Sequence, residues 1–76
     1  MISGVLVVCR PDRVAEFRDC LNAHPWAEIH HSEPGGRLVL TIDAADTGQA
    51  MERLQEVQRF PQVISAELAE YYLESD

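Results

Sequence analysis

Few residues in this chain have the type and spacing that chemistry requires. The three histidines are His24, His30 and His31. The last two are adjacent, and neighbouring strand residues point to opposite faces, so the pair is not arranged to share one metal ion. Cys9 and Cys20 have no Cys-x-x-Cys spacing and sit in apolar patterns, which reads as two reduced core thiols rather than ligands, a redox couple or a disulfide framework. No Ser/His/Asp grouping or paired-carboxylate cleft emerges, and Pro34-Gly35-Gly36 is turn chemistry with no helix behind it to form a phosphate loop. The expectation is a protein that is not an enzyme and holds no metal or organic cofactor. The run Glu67, Glu70, Glu74 and Asp76 has two readings: a solvated edge, or an attraction for an arginine-bearing segment through carboxylate–guanidinium pairing.

Composition narrows the partner. The 13 acidic residues outnumber 6 basic ones, all arginine, for a net charge of −7, which argues against nucleic acid and for a basic ligand. With 76 residues, 46% of them hydrophobic and 25% charged, residues 1–76 read as one globular domain. Its net stability is expected to be only about 4–11 kcal/mol. The longest apolar stretch, residues 5–9, is strand-sized, so no membrane insertion and a cytoplasmic location are expected.

The elements that position these residues follow from periodicity. Residues 2–9 are β-branched and uncharged until Arg10-Pro11-Asp12 stops them, which predicts a strand. Pro11 suits a first helical position, and Val14, Phe17, Cys20 and Leu21 recur on one face of a helix ending near Asn22. Residues 26–33 and 37–43 alternate loosely around Pro34-Gly35-Gly36 and form a β-hairpin, with Trp26 capping the end of the first helix. Asp46 and Gln49 make a variant capping box for a second helix whose stripe is Ala50, Met51, Leu54 and Val57. After Phe60-Pro61, residues 63–73 form a last strand with Ile64, Ala66 and Leu68 on one side. The order βαββαβ closes most simply as a ferredoxin-like α+β fold: a four-stranded antiparallel sheet with both helices on one face.

That architecture leaves the other sheet face open. If Val5, Val7 and Cys9 point to the helices, alternation turns Gly4, Leu6 and Val8 outward. Leu38, Leu40 and Ile42 are the inward set of the hairpin, leaving Arg37, Val39, Thr41 and Asp43 outward beside Glu28 and His30. Ser65, Glu67, Ala69 and Tyr71 face out of the last strand. The resulting apolar strip, edged by Glu28, Asp43 and Glu67, is suited to a peptide, and Gly4 allows close backbone approach. Scattered apolar residues are also ordinary on a small sheet, and the same face could form a homodimer; both readings stay open.

Nearly the whole chain resembles the NapD family, the small cytoplasmic chaperones of the periplasmic nitrate reductase catalytic subunit. The resemblance rests on Ile2-Ser3-Gly4-Val5-Leu6-Val7-Val8, Leu21-Asn22-Ala23-His24-Pro25, Glu28-Ile29, Gly36-Arg37-Leu38-Val39 and Val63-Ile64-Ser65-Ala66 in order. The chain departs from the family pattern at Trp26 and at Glu70-Tyr71-Tyr72, where a tyrosine-histidine ending is usual. The resemblance implies a chaperone, monomeric or weakly dimeric, that binds the twin-arginine signal peptide of a molybdenum-containing nitrate reductase and delays its export until the cofactor is inserted. On the face read above, the contacts would come from Gly4, Leu6, Val8, Glu28, Val39, Thr41, Asp43, Glu67, Ala69 and Tyr71. A small-molecule regulatory module of the ACT type shares the element order and is the alternative.

Overall fold

Strand β1 (Ile2–Cys9) is the axis of the molecule, hydrogen-bonded on one side to β3 (Arg37–Asp43) and on the other to β4 (Val63–Leu68). Strand β2 (Ala27–Ser32) pairs with the outer side of β3, so the sheet order is β2-β3-β1-β4 with every pairing antiparallel. The computed structural model describes residues 1–69. After β1, a 3-10 turn at Pro11–Arg13 leads into α1 (Val14–Leu21), and α2 (Thr47–Gln58) joins β3 to β4. This is the ferredoxin-like α+β arrangement that the element order implies.

Alternation along β1 and β3 builds the core. Val5, Val7 and Cys9 of β1 and Leu38, Leu40 and Ile42 of β3 are buried against Phe17 and Leu21 of α1 and Leu54 and Val57 of α2. Each such side chain, withdrawn from water, contributes about 1.5–3 kcal/mol. Phe17 meets Phe60 edge-on at 5.4 Å, closing the layer between the helices. Trp26 is half-buried at the helix side, its ring edge-on to His24 at 5.1 Å and under the Arg53 guanidinium at 5.1 Å, so it packs across the end of α1. Asp46 caps α2 by accepting from the Gln49 N–H at 2.8 Å, while the Gln49 side chain accepts from Ala45 rather than closing the box on Asp46 itself. The buried Gln62 amide donates to Glu16 at 2.8 Å, and this bond holds the Glu16 carboxyl below its ordinary pKa.

The tip of the hairpin is pinned to the end of β1. Gly36 adopts φ +96°, its carbonyl accepts from the Cys9 N–H at 2.7 Å, and a Cβ there would fall well inside contact distance of the Cys9 carbonyl oxygen. Gly35, one residue earlier, has nothing within 4 Å of an added Cβ.

Four expectations are corrected by packing. Met51, expected in the α2 stripe, is 41% exposed, because Ala50, Leu54 and Val57 suffice to cover the sheet. Cys20, expected in the core, is exposed; Phe17 and Leu21 fill the inner face of α1 and turn Cys20 to solvent. Ile64, expected inward, is 63% exposed, since Cys9 pairs with Val63 while Val8 pairs with Ser65, and the extra residue is expelled at this bulge. Leu68, also expected inward, pairs with Val5 but remains 39% exposed on an outer strand. Of the expected strand over 63–73, Val63–Leu68 is formed and residues 70–73 lie outside the described residues.

The two thiols are therefore expected to differ in reactivity. Burial pushes the Cys9 thiol up to about 11, while Cys20 is open to reagent. A maleimide at mildly alkaline pH should label Cys20 promptly and Cys9 only on unfolding, as peptide mapping would show. Labelling of Cys9 in the folded protein at a comparable rate would mean that the β1 end is not closed.

Candidate functional site

The register lays the open face out in rows that cross the strands. One row runs Glu67, Leu6, Val39, His31, one residue from each strand, because Leu6 pairs with both Glu67 and Val39, and Val39 pairs with His31. The next holds Ser65, Val8 and Arg37, with Glu33 beyond, whose N–H donates to the Arg37 carbonyl at 2.9 Å. On the other side lie Ala69, Gly4, Thr41 and Glu28, tied by the Ala69 N–H to the Gly4 carbonyl at 2.7 Å and by the Thr41 pairings. Neighbouring strands are about 4.8 Å apart, so a row spans roughly 14 Å from β4 to β2.

The first two rows enclose a groove of about 380 Å³. Its floor is Leu6, Val8 and Val39, all half-buried, and its rim is Glu33, His31, Arg37, Ser65 and Glu67. A second concavity, about 390 Å³, lies at the β2 edge beside Arg18 and Asn22, with only Ala27 and Ile29 as apolar lining. Because apolar burial supplies most binding energy, the first groove is the better seat.

The residues expected on this face are placed as follows. Leu6, Val8, Val39 and Glu67 come together in the groove. Thr41, Asp43 and Glu28 are on the same face but outside it, and their polar groups already have neighbours: the Thr41 hydroxyl shares a 2.7 Å hydrogen bond with His30 Nε2, Glu28 is 4.0 Å from the same nitrogen, and Asp43 lies 3.8 Å from the Met1 amino group. Gly4 and Ala69 are buried, so neither is open to a ligand in this structure. Tyr71 lies outside the described residues.

Sequence reasoning missed His31 and Glu33. Adjacent histidines were expected to face opposite ways, yet the register shifts between Ile29 and His31, so that His30 is an extra residue in the β2 bulge. As a result His31 is set opposite Val39, with its Nε2 3.4 Å from Glu33, while His30 reaches Thr41 on the same side of the sheet. No grouping of three or more His, Cys, Asp or Glu among the described residues is placed to hold a metal ion.

An open, half-apolar sheet face with a charged rim and a fully packed opposite face defines a small binding domain. The sequence model of the NapD protein family matches residues 1–75, and the chain belongs to that family, which is one of chaperones and not of enzymes. Among solved structures, the chain is similar to the solution structure of the E. coli Tat proofreading chaperone protein NapD, with a TM-score of 0.85 at 23% identity, covering 91% of this chain and 74% of that one. No curated protein matches the chain. The structural likeness carries the fold, and the family match carries the chaperone role.

Proposed function

We propose that this chaperone binds the twin-arginine signal peptide of the catalytic subunit of a periplasmic nitrate reductase, in the cytoplasm, and delays export until the molybdenum cofactor is inserted and the client is folded. The observation that carries the reading is the groove over Leu6, Val8 and Val39 with carboxylates at its rim, in a chain of the NapD family. Such a signal peptide offers arginines followed by an apolar segment, which is the complement of that surface. Among the described residues no helix is long and apolar enough to cross a membrane.

Magnitudes assign the roles. An exposed ion pair contributes about 0.2–1 kcal/mol. Burying roughly 500 Å² of apolar surface contributes about 12 kcal/mol gross, against association costs of about 4–15 kcal/mol. The apolar floor therefore carries the affinity, and the carboxylates select for arginine and speed encounter. Calorimetry with the isolated signal peptide is expected to give a dissociation constant in the micromolar to submicromolar range, on the order of −8 to −10 kcal/mol. Raising salt should weaken binding less than replacing the apolar segment by a polar one. Undiminished binding of the polar-substituted peptide would show that the groove is not the seat.

A further inference from the structure

The groove is not electrically symmetric, and its asymmetry specifies a direction. Three of the carboxylates on or beside this face already have a basic neighbour: Glu33 has His31 at 3.4 Å, Glu28 has His30 at 4.0 Å, and Asp43 has the Met1 amino group at 3.8 Å. Glu67, at the β4 end of the central row, has no arginine, histidine or amino nitrogen within 4 Å among the described residues. At the opposite side of the groove stands the exposed Arg37, two strands away, a separation of about 10 Å. An incoming guanidinium is attracted at one end and repelled at the other, with Leu6 and Val39 forming an apolar path between them.

We infer that the groove orients its ligand: Glu67 receives the arginine end on the β4 side, and the apolar segment runs across the strands over Leu6 and Val39 toward β2. The inference rests on the signal-peptide reading above and adds to it a direction and an anchoring residue. Carboxylate and guanidinium match as a bidentate pair, and Glu67 is the rim carboxylate that can make this pair without first giving up another partner. The outward set read from alternation alone put Glu28, Asp43 and Glu67 on equal terms; the structure separates them.

Paramagnetic broadening tests the direction. The twin-arginine signal peptide of the nitrate reductase from the same organism, carrying a nitroxide immediately before its arginine pair, is added to the full-length protein labelled with nitrogen-15. The expected result is saturable binding with the strongest loss of amide signal in β4 around Ser65 and Glu67. Glu67→Gln should weaken binding by about twofold to fivefold at low salt. Arg37→Gln, which removes the repelling charge at the other end, should tighten it, and both positions are exposed, so both variants should fold. Saturable binding with broadening centred on His31 and Glu33, or spread evenly over both sides, would overturn the direction while leaving the signal-peptide reading in place. Glu67→Gln binding as tightly as the unaltered protein would overturn the anchor. Absence of any saturable binding would overturn the underlying reading and the inference with it.

Discussion

Leu6→Glu should leave the domain folded and abolish peptide binding, whereas Val7→Glu should unfold it. The two residues are neighbours in β1, yet Leu6 is half-buried in the groove and Val7 is 1% exposed beneath the helices. A carboxylate at position 6 stays hydrated and faces Glu67 across the strand, a like-charge pairing that costs about 0.2–1 kcal/mol. It also replaces the centre of the apolar floor on which the proposed peptide seat depends. At position 7 the charge would be taken out of water among Val5, Leu38 and Leu54, at a cost of several kcal/mol. The whole domain has only about 4–11 kcal/mol to lose. Circular dichroism and peptide titration on both variants check this. An unfolded Leu6→Glu beside a folded Val7→Glu would mean that the two faces are exchanged, and a folded Leu6→Glu that still binds would remove the groove from consideration.

The second large effect is expected at the hairpin tip. Gly36→Ala would place a Cβ against the Cys9 carbonyl at a backbone φ of +96°, and both factors act against it. The neighbouring strand end cannot yield easily, because Cys9 is hydrogen-bonded to the Gly36 carbonyl and fully buried. A loss on the order of 3 kcal/mol is expected, which for a domain of this size lowers the melting temperature by about 12–24 °C. Gly35→Ala, with open space around it, should shift stability by no more than about 0.5 kcal/mol. Equal melting temperatures for the two variants would contradict the pinning of the hairpin to β1.

These contrasts show where sequence legibility ended. The strict period of two in residues 37–43, with Leu38, Leu40 and Ile42 against Val39 and Thr41, identified the inner face, and the uncharged run of β1 fixed its partner. Asp46 with Gln49 marked the start of α2, because a capping side chain must precede the first unpaired N–H groups. Alternation fails where the ladder gains a residue. At His30 a bulge reverses the parity of the residues beyond it, and at Ile64 a bulge takes that one residue out of the alternation while Ser65, Ala66 and Glu67 keep their faces; nothing in His30-His31 or Val63-Ile64 announces this, since a bulge arises from how two strands meet. That is why His31 and Glu33 were absent from the expected face and why Ile64 was assigned to the core. Exposure of Cys20 and Met51 is a matter of space: two or three other side chains already fill each helix's contact with the sheet.

Both bulges lie at the margins of the described sheet, one on β2 and one on β4. A straight outer strand offers an unbroken line of amides and carbonyls on which another chain can crystallise into an extending ladder. An interruption in each margin spoils the repeat that such growth needs. A chaperone meets incompletely folded chains, and each such encounter carries a risk of co-aggregation. In this molecule the margins, where addition has no natural stopping point, are kept irregular, and the groove lies on the broad surface between them.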